Sequence, residues 1–421
     1  MKRILLVLNK TNREMPAMAA IRNRIQALDP HSVTKIIPFD GNFMRDAAAF
    51  RPEVILMFPM GSIGVSRLVY LLKLRFGCRV VCFRSEGILD PQSPQSISNH
   101  IGFDRFGTKL VDAEIFWGPG PAELIGGALI GQKKLSSAER IRYFGYPRLE
   151  RYFRDSGVER LALLSEAILA KLQQYRRDQV VLVITGFHFA NYSSADLFGS
   201  GDLDAENRYE ELLTIVDRVK RYREEWKDAV RKSARAHSDL LFVVKKHPNE
   251  GRADYLDLEP EPNVIFIADD VDFGDILERS GLLVHYGSTA AAEAYIARIP
   301  TVYACSADPV LQDWFPRMGW PSSLSILIGN LESAIQKFIA GELSGEASRE
   351  IDRVLEWNFN VRPGVEYRPS QDIAAFLLAD ERGQRIPWWD KFMWRSLWWY
   401  VGVKARQFVS RYVAHPSPKS A

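Results

Sequence analysis

Cysteine is scarce in this chain of 421 residues, which contains only Cys78, Cys82 and Cys305. None of the three has the spacing of a metal-binding motif, and so few cysteines do not build a disulfide framework. The sequence therefore favours a reducing compartment. Cys78 and Cys82 flank the start of a predicted strand, and we expect both to be small residues of the core.

Long apolar runs are also missing. No run approaches the roughly 20 residues that a transmembrane helix needs. The apolar stretch that follows the basic residues Lys2 and Arg3 ends at Asn9, which is too short for a secretory signal. We therefore expect a cytoplasmic protein.

The chain as a whole has no strong excess of positive or negative residues, and its formal net charge is only +3. Between Arg385 and the C-terminus there are seven lysines and arginines against the single acid Asp390, so the rest of the chain is mildly acidic. A nucleic-acid-binding protein would carry its basic residues on the folded body. We therefore expect no nucleic-acid partner.

The basic C-terminal region is also rich in aromatic residues. Residues 387–413 contain five of the ten tryptophans, interleaved with lysine and arginine. This mixture predicts an interfacial helix on an anionic membrane, which would make the protein peripheral on the inner face of the cytoplasmic membrane. The alternative is a C-terminal helix that packs its tryptophans against the body.

Apolar runs that alternate with amphipathic stretches predict an α/β protein with parallel, doubly wound sheets. The expected fold is two Rossmann-like domains facing a cleft, with a basic, aromatic helical tail. We predict domains over residues 1–156 and 179–380, a connecting helix over 157–178 and the tail over 381–421. Strands are predicted over residues 3–8, 33–39, 53–58, 79–84, 114–117, 141–144, 180–185, 240–244, 264–267, 282–285 and 301–304, and helices over residues 14–28, 63–76, 207–237, 273–280 and 289–298.

Two segments at predicted strand ends favour phosphate binding. Lys246, His247 and Pro248 follow the strand 240–244, and proline fixes the backbone beside the histidine. Such a tip offers cationic donors to an anion. The alternative is a solvated histidine at a surface strand end.

The second segment is Gly287-Ser288-Thr289, which follows the strand 282–285 and opens a helix. Free N–H groups, hydroxyls and the positive end of the helix dipole would bind phosphate there, although an ordinary N-cap explains the same residues. Glu293, one turn further on, could accept both hydroxyls of a ribose. Its alternative is an exposed helix acid.

Glu86 is the best candidate for a general base. It follows the strand 79–84 and precedes Gly87, so it would stand at a strand end where an acceptor hydroxyl can approach. A turn acid is the simpler interpretation of this tripeptide alone. Asp104 and Asp112 are weaker rivals.

Several other polar positions are less specific. Asp272 is the second acid of the DxD pattern Asp270-Val271-Asp272, and its place before a helix favours capping over metal binding. No cluster of histidine, cysteine and aspartate has metal spacing, so no metal requirement is predicted. Gly61 and Ser62 follow the strand 53–58 and favour a tight turn over a ligand contact. His188 and Asn191, after the strand 180–185, could line the cleft.

Three motifs together carry a resemblance to known proteins: Gly145-Tyr146-Pro147-Arg148, Lys246-His247-Pro248 and the segment 285–294. They occur in the order seen in bacterial surface-carbohydrate biosynthesis proteins of the GT-B type. The chain therefore resembles these proteins, which are related to the Kdo transferases of capsule and lipopolysaccharide.

Two further resemblances use parts of the same set. Ser85-Glu86-Gly87 with His247-Pro248 is similar to the acid-acid-Gly and His-Pro motifs of bacterial sialyltransferases, except that Ser85 replaces the first acid. The Gly-x-Pro-Arg and Lys-x-His-Pro motifs are also similar to CDP-glycerol glycerophosphotransferases. Those enzymes have a Ser-Ser pair where this chain has Ser288 and Thr289.

The resemblance implies a metal-independent glycosyltransferase without a cofactor, whose first domain binds a glycan acceptor and whose second binds a CMP-linked donor such as Kdo or a sialic-acid-like sugar. Glu86 would be the general base, and His247 would stabilise the departing phosphate. The implied donor-binding residues are Lys246, Pro248, Gly287, Ser288, Thr289 and Glu293, and Gly61, Ser62, Arg148, His188 and Asn191 are further cleft candidates.

Three alternatives remain open. The same sites fit a transferase that moves a polyol phosphate from a CDP-linked donor. A UDP-sugar epimerase on the same fold would need several acids around the sugar and no membrane-facing tail. A binding protein that kept the fold and lost catalysis is the third.

Overall fold

The structure of the protein is a computed structural model. It describes residues 1–9, 11–59, 63–84, 89, 110–131, 137–153, 165–192, 209–247, 250–267, 271–314, 325–343, 349–381 and 383.

The first sheet has six parallel strands in the order β2-β1-β3-β4-β5-β6. Buried aliphatic runs form its central strands, because a parallel sheet is covered by helices on both faces. The strands are Arg3–Leu8, Val33–Pro38, Val54–Met57, Arg79–Phe83, Ala113–Phe116 and Ile141–Tyr143, numbered β1 to β6. The helices of this part are Thr11–Leu28, Phe43–Phe50, Ile63–Phe76 and Pro119–Gly131, with 3-10 turns at Ala138–Arg140 and Pro147–Tyr152.

The second sheet is also parallel, with the order β12-β11-β10-β7-β8-β9. Its strands β7 to β12 are Val180–Ile184, Leu241–Lys245, Val264–Phe266, Leu282–His285, Thr301–Cys305 and Ser325–Leu327. The helices are Glu166–Leu172, Tyr209–Ala236, Phe273–Leu277, Ala290–Ile296, Pro309–Trp314, Leu331–Ile339, Arg349–Phe359 and Pro369–Leu378, with 3-10 turns at Arg177–Gln179, His188–Asn191, Arg252–Leu258 and Ile328–Asn330.

The predicted fold class is confirmed: two parallel six-stranded sheets with helices form two Rossmann-like units. The eleven predicted strands are all present with ends shifted by at most one residue. The edge strand β12 was not predicted, and its three residues are half-buried or exposed. Cys78 and Cys82 are fully buried, and burial raises the pKa of the Cys78 thiol to about 12, which confirms them as core residues.

Each sheet has one point where the strand order reverses. In the first sheet it lies between β1 and β3, and in the second it lies between β7 and β10. Ligands of open α/β sheets bind beyond the carboxyl ends of the strands at such a point. The loops after β7 and β10 are therefore the place in the second unit to look for a site.

The last two helices of the described part of the chain return to the first unit. Leu355 and Phe359 of the helix Arg349–Phe359, and Ile373 and Leu377 of the helix Pro369–Leu378, join the same core as Ile21. By packing, this stretch belongs with the first sheet although it follows the second in the sequence. The domain limits drawn from the sequence remain predictions. No described helix combines the length and apolar character that a membrane crossing requires.

The segment from Gly145 to Tyr152 links the two units. Gly145 has a φ of 103°, and a Cβ atom there would lie 2.7 Å from the Tyr367 hydroxyl. That hydroxyl accepts a hydrogen bond from the Tyr146 N–H at 2.7 Å and lies 3.2 Å from the Phe359 carbonyl oxygen, to which it can donate. Glycine is therefore required at the start of the Gly-Tyr-Pro-Arg motif by backbone conformation and by space.

Replacing Gly145 with alanine should destabilise the protein by at least about 1–3 kcal/mol, because both the left-handed backbone and the Tyr367 contact become strained. The midpoint of urea unfolding measures this effect. Gly127→Ala is the matched control: Gly127 lies in the helix Pro119–Gly131 with nothing within 4 Å of a Cβ, so alanine should be neutral or stabilising by ~0.5–1 kcal/mol. Equal midpoints for the two variants would contradict the assigned role of Gly145.

Candidate functional site

The loops after β7 and β10 approach each other closely at the point where the strand order reverses. Gly186 follows β7, and a Cβ atom on it would lie 2.8 Å from the carbonyl oxygen of Tyr286, which follows β10. Gly287 comes next and has a φ of 57°. Two glycines therefore let the backbones of neighbouring strand ends pack tightly and turn, as a phosphate-binding crevice requires.

His285 fixes the turn that contains Ser288. Its side chain is fully buried, its Nδ1 accepts a hydrogen bond from the Ser288 N–H at 3.3 Å, and its ring lies 5.4 Å from that of Tyr303. Burial lowers the pKa of His285 to about 3, so the imidazole is neutral. The Ser288 hydroxyl accepts from the Ala290 N–H at 3.2 Å, the first N–H of the helix Ala290–Ile296.

His247 lies beyond the end of β8, the strand next to β7. Its backbone N–H donates to the Thr185 hydroxyl at 2.9 Å and to Oε2 of Glu250 at 3.3 Å. The side chain of His247 is half-buried. Two hydrogen bonds from this one N–H therefore hold the His247 backbone to Glu250 and to Thr185, which lies at the end of β7.

Glu250 comes three residues after His247 and is a buried acid, with 3% of its surface exposed. Its Oε2 accepts hydrogen bonds from the hydroxyls of Thr185 and Tyr255, the latter at 2.7 Å. Burial raises the pKa of Glu250, and these hydrogen bonds oppose that shift only in part. Oε1 has no hydrogen-bond partner in the described part of the chain.

Glu293 connects the two units instead of facing solvent. It is 5% exposed, lies 3.1 Å from Nε of Arg148 and accepts a hydrogen bond from the Tyr152 hydroxyl at 2.7 Å. Burial by itself would lower the pKa of Arg148, but the facing Glu293 carboxylate outweighs it, so the pKa lies above its ordinary value and the guanidinium is charged. Arg148 and Glu293, both candidates from the sequence, therefore meet in a buried ion pair.

A second arginine of the same segment holds another helix. Arg151 donates to Asp272 and Asp275, at 2.7 Å each. Asp272 also accepts from the Gly274 N–H at 2.8 Å and is the N-cap of the helix Phe273–Leu277, which confirms the predicted capping role. Within the described residues, no group of three or more histidine, cysteine, aspartate or glutamate residues is arranged to hold a metal ion.

Other candidates are placed differently. The Asn191 amide is engaged locally, with Asp254 at 3.0 Å and Arg223 at 2.9 Å. Asp112 accepts from the buried Lys73 ammonium, which gives it a structural role in the first unit. His188 begins a 3-10 turn just after β7. Outside the described residues lie Glu86, Pro248, Gly61, Ser62, Asp104 and the segment 387–413.

Several residues that build the site were not predicted. Tyr152 and Arg151 follow the Gly-Tyr-Pro-Arg motif within one turn, and Glu250 follows the His-Pro motif by two residues. Thr185 ends the predicted strand that lies between the two motif-bearing strands. Closeness to a motif was the available signal, but isolated acids and hydroxyls at loop positions favour turns by default.

Comparisons with known proteins identify a fold. No protein-family model and no curated protein sequence matches the chain. Among solved structures, it is similar to MnaA of S. aureus in a co-structure with UDP, with a TM-score of 0.52 and 12% identity over 92% of this chain and 100% of that one. The UDP-GlcNAc 2-epimerase of Neisseria meningitidis bound to UDP-GlcNAc has a TM-score of 0.52 and 11% identity over 89% and 99% of the two chains.

The wall teichoic acid polymerase TagF is another such structure, with a TM-score of 0.53 and 14% identity over 89% of this chain and 88% of that one. These similarities extend over both Rossmann-like units. They support the GT-B arrangement of the chain. At such low identity they show the fold alone.

Breaking the Arg148–Glu293 pair should be costly. Glu293→Ala leaves a buried guanidinium without its carboxylate, which destabilises by about 3–5 kcal/mol. The exposed pair of Arg176 and Asp178 provides the control, because Asp178→Ala should cost less than about 1 kcal/mol. Urea unfolding midpoints measure both, and a Glu293 variant as stable as the Asp178 variant would contradict the buried pair.

The buried neutral His285 should make the protein less stable in acid. Between pH 7 and pH 5 the unfolded chain gains a proton on this histidine, with an ordinary pKa near 6.5, whereas the folded protein does not. The free energy of unfolding should therefore fall by about 2 kcal/mol over that interval, a loss that His285→Asn would remove. Unfolding at both pH values measures the difference, and His31→Asn, at an exposed turn, controls for the loss of a histidine. An identical pH dependence in the wild type and His285→Asn would contradict a buried neutral imidazole.

Proposed function

We propose that the protein is a glycosyltransferase of bacterial surface polysaccharide biosynthesis, transferring a sugar from a CMP-linked donor to a glycan acceptor. Kdo or a sialic-acid-like sugar is the proposed donor group, as the motif resemblance implies. The reaction needs no metal in this proposal, since the polypeptide supplies the groups that stabilise the leaving phosphate.

One observation carries the proposal. The His247 loop and the Gly287-Ser288-Thr289 turn follow β8 and β10, the two strands that flank β7. Both therefore lie at the carboxyl edge of the second sheet, next to the point where the strand order reverses. Such an edge binds nucleotides in doubly wound sheets, and hydroxyls with backbone N–H groups suit a phosphate.

The proposed reaction is a displacement at the anomeric carbon. The acceptor oxygen attacks that carbon and loses its proton to Glu86, while the bond from the anomeric carbon to the phosphate oxygen breaks and CMP departs with the electron pair. His247 and Lys246, with the hydroxyls of Ser288 and Thr289, would stabilise the negative charge that develops on the departing phosphate. Glu86 stays a sequence prediction, because it lies outside the described residues.

Glu293 is proposed to bind the ribose, with a qualification from its environment. Each of its oxygens already has a partner, one facing Arg148 and the other accepting from Tyr152. A carboxylate oxygen can accept more than one hydrogen bond, so a ribose hydroxyl can share the group. The nucleotide would then contact the ion pair that joins the two units.

A second candidate is transfer of a polyol phosphate from a CDP-linked donor. The structural similarity to TagF, which has also been examined with CDPG, favours it, as do the Gly-x-Pro-Arg and Lys-x-His-Pro motifs. This reaction would place the same histidine against a phosphate, but the acceptor would attack phosphorus instead of carbon.

A UDP-sugar epimerase is favoured by the similarity to the UDP-GlcNAc 2-epimerases.

The cellular location remains a proposal as well. The mixture of tryptophan and basic residues in the segment 387–413 supports a peripheral protein on the inner face of the cytoplasmic membrane. There the acceptor would be a lipid-linked or surface-destined glycan.

Thermal unfolding in the presence of CMP, CDP, UDP and UDP-GlcNAc tests the nucleotide preference. At about 100 times its Kd, CMP should stabilise the protein by ~2.7 kcal/mol. His247→Ala should lose most of this stabilisation, whereas His237→Ala should keep it, because His237 precedes β8 at the opposite end of the same strand. Stronger stabilisation by CDP would favour polyol phosphate transfer, and stabilisation by the UDP compounds alone would contradict the proposal.

A further inference from the structure

Glu250 has an unusual set of partners for a buried acid. Its Oε2 is shared among the hydroxyls of Thr185 and Tyr255 and the backbone N–H of His247. No lysine or arginine forms an ion pair with it in the described part of the chain. The group therefore depends on neutral donors alone, and one of these donors is the residue proposed to meet the leaving phosphate.

The network fixes the backbone of His247 from two directions. The Thr185 hydroxyl accepts from the His247 N–H at 2.9 Å and donates to Glu250, so threonine and glutamate hold the same N–H in a closed arrangement. Thr185 directly follows β7, whose central place in the sheet gives it a rigid backbone. The network thereby fixes the backbone of His247, which carries the imidazole, relative to the central strand of the second sheet.

Packing alone does not explain the choice of an acid here. Glu250 is 3% exposed, and its Oε1 has no hydrogen-bond partner among the described residues. An apolar side chain of similar shape would leave the hydroxyls of Thr185 and Tyr255 and the His247 N–H without this acceptor, and an unsatisfied buried polar group costs about 1–3 kcal/mol. The acid therefore acts as the acceptor for these donors, one of which is the His247 N–H.

We propose that Glu250 is a positioning residue, which holds the His247 loop so that the imidazole meets the departing phosphate. This inference rests on the proposed function, because it takes the phosphate of the donor nucleotide as the group that His247 contacts. Thr185 belongs to the same device. Tyr255 donates to the same carboxyl oxygen at 2.7 Å.

A double-mutant cycle on CMP affinity tests the proposal. Glu250→Gln keeps the shape of the side chain but replaces the carboxyl group with a neutral amide, whose oxygen is a weaker acceptor for the three donors, and should weaken CMP binding about tenfold. In the His247→Ala background the same substitution should have almost no further effect, because its action passes through His247. An equal weakening in both backgrounds, or none in the wild-type background, would overturn the positioning role.

Glu261→Gln is the matched control. Glu261 is another buried acid of the second unit, 7% exposed and bonded to Arg235, but it precedes β9 at the amino edge of the sheet. Its substitution should leave CMP affinity within twofold of the wild type. A comparable loss of affinity from Glu261→Gln would show that the Glu250 effect is not local and would overturn the proposal.

The histidine ring signals in NMR separate this inference from the proposed function. In the protein without nucleotide, Glu250→Gln should shift or broaden the His247 ring signal, identified by its absence in His247→Ala, and leave that of His237 unchanged. A His247 signal that does not respond would overturn the positioning. Failure of CMP to bind the wild-type protein would instead overturn the proposed function. In that case the His247 ring signal alone would decide whether Glu250 positions His247.

Discussion

The buried ion pair between Arg148 and Glu293 connects the two units of this protein, and it supports one half of the proposed site. Removing two charges from water is costly unless their geometry is good and their remaining valences are satisfied. Here the Tyr152 hydroxyl supplies the additional donor to Glu293. The contact therefore joins the segment 145–152 of the first unit to the helix Ala290–Ile296 of the second.

The segment from residue 145 to residue 152 distributes its side chains among three neighbours. Arg148 and Tyr152 reach the helix Ala290–Ile296, and Arg151 reaches the helix Phe273–Leu277. Glu150 accepts from the backbone N–H and hydroxyl of Ser370 at 2.5 and 2.7 Å, where the last helix begins. One short 3-10 turn therefore joins the first sheet, the second sheet and the returning C-terminal helices.

The same helix carries the interdomain contact and the candidate phosphate turn. Glu293 lies one turn after Ser288, so a group that binds at the turn is coupled through a single short helix to Arg148 in the other unit. On the opposite side of β7, the His247 loop is held by Thr185 and Glu250. The two halves of the proposed site are thus supported independently, one by the interdomain ion pair and one by the strand-end network. Such prior support is what a site that stabilises a leaving group requires.

The sequence predicts the parts of this molecule that depend on local pattern. Buried aliphatic runs identified the central strands because a parallel sheet is covered on both faces, whereas the half-exposed β12 escaped the same argument. The partnership of Arg148 and Glu293 could not be predicted, since no local pattern reports a contact between residues far apart in the chain. For the same reason, the packing of the helix Pro369–Leu378 against the first unit could not be predicted. Glu250 was missed because a single acid after a motif resembles a turn residue.

Amide hydrogen exchange with and without CMP is the most direct test of nucleotide binding at the carboxyl edge of the second sheet. Binding there should slow exchange in peptides that contain the loops after β7, β8 and β10, including Gly186, His247 and Ser288. Peptides at the amino ends of the same strands, such as the one containing His237, should be unchanged. Protection confined to the first sheet or to the amino edge, or no protection at saturating CMP, would contradict the proposed site.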